Sequence, residues 1–359
     1  MEQEILRPHA ESAYAAELAA LEKADEGVRP GGWRLSPKAV VRYLMGDRLD
    51  DGTEISTKYF GDRRLIEVAV ASLVTDRALL LVGVPGTAKT WVSEHLAAAI
   101  SGDSTLLVQG TAGMSEDALR YGWNYARLLS EGPSEQALVP SPVMLGMREG
   151  KLVRIEELTR IPSDVQDALI TVLSEKILPI PELNRETAAR RGFNVIATAN
   201  DRDRGVNELS SALRRRFNTV VMPLPATLEE EVRIVSDRSR AAASRMQLPP
   251  VEQDAAAEIT RLVTIFRELR SGRTEDGRTQ LKSPSSTLST AEAISVVNQS
   301  RALSHHFGSG DIAPEYLAAS LSGAVVKDPE QDGAVWREYL DVVLRNRKGW
   351  EDLYEALSK

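Results

Sequence analysis

Gly83-Val84-Pro85-Gly86-Thr87-Ala88-Lys89-Thr90 decides the reading of this chain. The octet follows a short apolar run, residues 78–82, and precedes a stretch of helical periodicity over 89–100. A buried strand that feeds a glycine-containing loop and then a helix is the context a phosphate-binding loop requires. Glycines let the backbone approach a phosphate closely. Successive N–H groups turned inward form an anion cradle, and the helix N-terminus adds positive potential. Gly83, Val84, Pro85, Gly86, Thr87 and Ala88 supply that cradle. Lys89 is the candidate for reaching the β- and γ-phosphates of ATP, and the Thr90 hydroxyl the candidate ligand for Mg²⁺. Glycine is usual before the lysine. Alanine at the start of a helix is expected to cost little there. A surface Gly-Pro turn before a helix is the plain alternative, and the flanking strand and helix argue against it.

Outward from the loop, four more short apolar runs recur at 105–108, 152–155, 193–198 and 219–222, with helical stretches between most of them. Strands alternating with helices predict an α/β fold, a parallel sheet covered on both faces. Helices are expected at 63–75 and 163–175. Residues 111–150 exceed what a connection needs and carry Tyr121, Trp123 and Tyr125, which could grip another chain or pack the segment's own core. Residues 174–192 suggest a hairpin. Pro223-Leu224-Pro225 ends the sheet region. Helical stretches follow at 227–245, 251–270, 290–306, 313–322 and 334–357, with a loop at 271–286. This predicts three parts: a helical extension at 1–58, a nucleotide-binding domain at 59–225 and a helical domain at 226–359.

Hydrolysis of a phosphate chain needs a held metal and a residue that positions water. Leu152-Val153-Arg154-Ile155 ends in Glu156-Glu157. In a parallel sheet, ligands sit at the carboxyl ends of strands, so this pair falls beside the loop. Glu156 is expected to bind Mg²⁺ through water and Glu157 to orient the attacking water. Asp-Glu is the more usual pair, and the extra methylene of Glu156 predicts a working but slower site. The run at 193–198 leads into Ala199-Asn200, and Asn200 is placed to hydrogen-bond the γ-phosphate or the water. Ala212-Leu213-Arg214-Arg215-Arg216-Phe217 offers a cation to stabilise transition-state charge across a subunit boundary. Arg216 is the first candidate and Arg215 the second.

Composition sets the class. With 42% hydrophobic and 27% charged residues the chain reads as globular rather than disordered, and a formal net charge of −8 argues against a broad phosphate-gripping face. There is no cysteine, so thiolate chemistry is excluded. No apolar run is long enough to span a membrane. Met1-Glu2-Gln3-Glu4 does not read as a secretory signal, so a cytoplasmic protein is expected. His305-His306 reads as solvated and His95 as packed.

Taken in order, residues 83–90, Ile155-Glu156-Glu157-Leu158-Thr159-Arg160, residues 164–169, Val195-Ile196-Ala197-Thr198-Ala199-Asn200 and residues 212–217 resemble the AAA+ superfamily, and within it the MoxR family. The resemblance covers about residues 59–225. It implies a P-loop core with a five-stranded parallel sheet of order 5-1-4-3-2, a C-terminal all-helical lid, and assembly into a homo-oligomeric ring, usually hexameric. It likens 111–150 to the helix-2 insert and 174–192 to the pre-sensor hairpin, loops that touch clients. It also implies partner proteins, among them proteins with a von Willebrand factor A domain. The family usually has a Ser-x-Arg motif in the lid. The matching stretch here is Ser289-Thr290-Ala291-Glu292, which has no arginine, so no second sensor is assigned.

Three functions compete. The leading one is an ATP-hydrolysing chaperone or remodelling motor acting on proteins. The second is a nucleotide-dependent assembly switch with weak hydrolysis, suggested by Glu156 and Ala291. The third, a nucleic-acid motor, is disfavoured by the acidic charge.

Overall fold

The computed structural model describes residues 5–200, 207–249, 255–308 and 312–358. Met1–Glu4, Asp201 and the start of the helix expected from Val251 lie outside them. These residues form two compact units that divide after Pro223, with Pro85–Thr87 counted in the second.

The first unit is built on five strands: β1 (Ala78–Val82), β2 (Leu107–Gln109), β3 (Leu152–Glu156), β4 (Asn194–Ala199) and β5 (Phe217–Val221). Their order is β5-β1-β4-β3-β2, and every pairing is parallel. This is the 5-1-4-3-2 α/β arrangement expected from the sequence. Every residue of β3 and β4 is buried, as strands covered on both faces require. Side chains alternate between faces. Leu79, Leu81, Leu152 and Ile196 enter one core cluster, and Ala78, Leu80, Val153, Ile155, Val195 and Ala197 enter the other. Arg154 and Glu156 share the parity of Leu152, which places them on the face covered by the helix Lys89–Ser101. Register brings Val82 level with Ala199, Ala197 with Ile155, and Gln109 with Glu156, so the carboxyl ends of four strands meet at one edge.

β1 spans the residues expected, and the ends of the other strands differ from expectation by at most two residues. The clearest case is β2, which starts at Leu107 because Asp103 turns the chain, accepting from the Thr105 amide (2.9 Å) and hydroxyl (2.6 Å). The helix expected over 163–175 is two helices, Ser163–Gln166 and Ala168–Ser174. The insert holds a hairpin of Tyr121–Trp123 with Leu138–Pro140, and Ile177–Ile180 pairs with Arg185–Ala188 in a second hairpin.

Residues ahead of the sheet pack on the same face as the loop helix. Leu18, Leu21, Trp33, Val40 and Leu44 share one core cluster with Val92, Leu96 and Ile100. Buried Glu94 accepts from the Ala10 amide (3.2 Å) and the Arg7 guanidinium (3.2 Å), and His95 hydrogen-bonds the Tyr43 hydroxyl at 2.9 Å. His95 is therefore packed, as expected.

The second unit is all-helical, with Leu262, Phe266, Leu321, Trp336 and Leu353 in its core. A single C-terminal helix does not form. Gln331–Val342 ends at Val343, a short 3-10 turn follows over Leu344–Asn346, and Glu351–Leu357 begins after Gly349, which turns the chain in a left-handed conformation, φ +77°. His305 and His306 are exposed on the last turn of Thr290–Phe307.

Candidate functional site

The phosphate-loop sequence leaves β1 at Val82 and enters the helix at Lys89. Ala88 is not a helical residue. It is the N-cap in a left-handed conformation, φ 62° and ψ 19°. A side chain with a Cβ pays about 1–2 kcal/mol there relative to a right-handed one, so the substitution for glycine is more costly than its helix propensity suggested. The Lys89 ammonium donates to the carbonyls of Gly83 (2.8 Å) and Val84 (2.9 Å), which holds it across the loop.

Glu156 is 2% exposed. One carboxylate oxygen accepts from the Thr90 hydroxyl (2.8 Å) and the Thr198 hydroxyl (2.6 Å). The other accepts from the Ser93 hydroxyl and from Arg154 Nη2 at 3.0 Å. A carboxylate has about four acceptor sites, so Glu156 is saturated.

Glu157 follows in a left-handed conformation, φ 57°. Its amide donates to the Thr198 hydroxyl at 3.1 Å, so one hydroxyl ties both glutamates to β4. Its carboxylate is half-buried and accepts from Asn200 Nδ2 at 3.1 and 3.3 Å. Gly110 backs the pair. A Cβ at Gly110 would stand 2.3 Å from the Glu157 carbonyl oxygen, and its amide donates to the Glu156 carbonyl at 2.7 Å. The structure thus brings Lys89, Thr90, Glu156, Glu157 and Asn200 to one sheet edge. Sequence reasoning missed Ser93, Gly110, Arg154 and Thr198. The available signal was polarity: an arginine and a threonine inside fully buried strands must have partners.

The two arginine candidates differ. Arg216 is tied back within its own chain, with Nε donating to Ser174 Oγ at 2.8 Å and Nη1 to the Ala212 carbonyl at 2.5 Å. Arg215 is exposed and, among the described residues, its guanidinium makes no hydrogen bond or ion pair. In the insert, Tyr121 is buried, its hydroxyl donating to Glu182 (2.8 Å) and its ring meeting Trp123 edge-on. Tyr125 is 68% exposed. Ala291 lies exposed on the first turn of Thr290–Phe307, where Ser289 and Glu292 form a capping box.

A parallel 5-1-4-3-2 sheet, with a phosphate-loop sequence after β1, an acidic pair closing β3 and an asparagine after β4, defines an AAA+ ATPase fold. Residues 78–217 match the model of the AAA domain (dynein-related subfamily), and residues 229–358 match the model of the YehL-like AAA+ ATPase C-terminal domain. The chain is 41% identical to the YehL protein of Escherichia coli K12 over 356 residues, 98% of this chain and 96% of that protein. It belongs to the YehL-like family of AAA+ ATPases. The SH1500 protein of Staphylococcus haemolyticus is 29% identical over 158 residues, 44% of this chain and 59% of its own length. Among solved structures, NtrX from Brucella abortus in complex with ATP aligns with a TM-score of 0.50 at 14% identity, over 83% of this chain and 62% of NtrX. That likeness is one of fold. No described helix is long and apolar enough to cross a membrane.

Proposed function

We propose that this chain is a Mg²⁺-dependent ATPase of MoxR type that assembles into a ring, hexameric by family resemblance, and uses hydrolysis to remodel partner proteins in the cytoplasm. The observation that carries the hydrolytic part is the contrast between the two glutamates. Glu156 is buried and saturated behind Thr90, whereas the Glu157 side chain is half-buried and, among the described residues, held by Asn200. The first suits a structural partner of a metal site and the second a group that orients water. The Thr90 hydroxyl gives its hydrogen to Glu156, which leaves its lone pairs for a cation, and this oxygen donor set fits Mg²⁺. When bound, that ion supplies charge neutralisation for the phosphates. The backbone of residues 83–90 would cradle the phosphates, and Lys89, already fixed across the loop, would meet the β- and γ-phosphates. Asn200 holds Glu157 in place.

Across a subunit boundary the exposure of Arg215 supports it as the arginine that meets the neighbour's γ-phosphate. The bonds of Arg216 to Ser174 and Ala212 support a bracing role instead. Within the extension 1–58 the described residues then brace the loop helix, 59–225 is the nucleotide-binding domain and 226–359 the lid domain. The exposed Tyr125 supports the insert as a client-touching element, and a von Willebrand factor A domain protein is the partner class the resemblance suggests. A nucleotide-dependent assembly switch is the second reading. It is supported by Asn200 engaging both oxygens of Glu157, which opposes rapid turnover. Hydrolysis measured against protein concentration separates the two. A motor gives a rate per subunit that rises with concentration and is abolished by Glu157→Gln and by Arg215→Ala. A wild-type rate that stays at the Glu157→Gln level, with ATP bound, selects the switch.

A further inference from the structure

We infer that Arg154 is a positioning residue that sets the magnesium affinity of this site through Glu156. The inference rests on the Mg²⁺-ATP reading above. Arg154 is 3% exposed in the middle of a parallel sheet, a position where a guanidinium persists only when fully paired. Three sides of its fork are taken. Nη2 donates to Glu156 (3.0 Å), Nε to the Ser93 hydroxyl (3.1 Å) and Nη1 to the Ser104 carbonyl (3.1 Å). Ser93 in turn donates to Glu156, so arginine, serine and glutamate close a triangle on the face that carries the loop helix.

Two consequences follow. A glutamate has one more rotatable bond than the aspartate usual at this place, and the triangle removes the freedom that bond would give. The same guanidinium also offsets the carboxylate's charge at ion-pair distance. Glu156 then serves mainly as a hydrogen-bond acceptor for Thr90, Thr198 and Ser93, and it attracts a divalent cation less than an unpaired carboxylate would. Arg154 thus trades metal affinity for a fixed acceptor geometry.

The test uses the full chain with ADP, and Mn²⁺ binding is read by electron paramagnetic resonance, alongside the Mg²⁺ dependence of turnover. Wild type must bind Mn²⁺ more tightly with ADP than without. If it does not, the nucleotide-site reading fails, and this inference fails with it. Arg154→Gln, neutral but still a donor, is expected to tighten Mn²⁺ binding roughly tenfold, the order expected when the positive charge paired with Glu156 is removed, while turnover falls. Arg154→Lys keeps the charge and loses the fork. Its Mn²⁺ affinity is expected within about twofold of wild type, with turnover lowered several-fold. Equal affinity in all three proteins, or weaker binding in Arg154→Gln, overturns the inference and leaves the nucleotide site standing. If a thermal scan shows that Arg154→Gln does not fold, Arg154→Lys decides alone. A tenfold change in its Mn²⁺ affinity refutes the charge argument, and unchanged affinity with lowered turnover supports it.

Discussion

Glu156 and Glu157 are neighbours with the same side chain, yet replacing each by glutamine should have very unequal effects on stability. Glutamine at 156 can keep its carbonyl oxygen toward Arg154 and Ser93, while its NH₂ faces the hydroxyls of Thr90 and Thr198, which turn to accept. Hydrogen bonding is thus largely preserved, and the loss is the buried charge that pairs with Arg154. Breaking such a pair from one side costs about 3–5 kcal/mol. The lower figure applies here because the oxygen facing the guanidinium remains. At roughly 2–4 °C per kcal/mol for a unit of this size, the midpoint of thermal unfolding should drop by roughly 6–12 °C. Glutamine at 157 retains an acceptor for Asn200 at a half-buried position, and should change stability by no more than about 0.5 kcal/mol. The assay is a thermal scan by differential scanning fluorimetry without nucleotide, so that ligand binding does not contribute. Equal shifts for the two variants would refute the division of labour between the glutamates.

Ala88→Gly relieves the left-handed alanine, which gains about 1–2 kcal/mol, but loosens the unfolded chain by about 0.4–1 kcal/mol. A net rise in the unfolding midpoint of one to a few degrees is expected by roughly this balance, and a fall would show that the strain is not real. Gly110→Ala forces a Cβ against the Glu157 carbonyl, so hydrolysis should fall at least tenfold by analogy with other displaced catalytic groups, while ADP binding, measured by calorimetry, changes little. In the second unit, burial pushes the Asp332 carboxyl up. Hydrogen bonds from the Asp328 and Ser285 amides, the Ser285 hydroxyl and the Lys327 amide outweigh that and hold it below the usual aspartate range. A depressed folded pKa means stability that is present above about pH 4 and lost as pH falls through the folded value. Asp332→Asn should therefore unfold earlier than wild type at pH 7, and the gap should close as the scan is repeated down to pH 3. A gap that stays constant over that range refutes the linkage.

Much of the fold was legible because the buried strands are continuous apolar runs and the loop motif orders them. Residues 78–82 could be read as a strand from three leucines alone, and the acidic pair from its place at the end of another. The surroundings of the pair were not legible. Thr198 lies 42 residues from Glu156 and Thr90 lies 66 away, and only the parallel pairing of the strands and the packing of the loop helix on them make the three neighbours. Arg154 breaks an apolar run without revealing which face it takes. The left-handed turn at Ala88 depends on where the helix begins, and helix periodicity does not locate that to one residue. At the C-terminus, apolar spacing continues from 334 to 357, so one helix was expected where the chain breaks at Val343 and forms a 3-10 turn and a second helix.

The anchoring of Glu94 and His95 by Ala10 and Tyr43 bears on how this protein can be cut. A chain begun at residue 59, where the family resemblance begins, would leave Val92, Leu96 and Ile100 without Leu18, Leu21, Val40 and Leu44 against them. Such a fragment would present an oily wall to water beside its phosphate loop and would aggregate or melt before any nucleotide could be tested. The smallest piece worth expressing for study of this site therefore starts at or before Arg7.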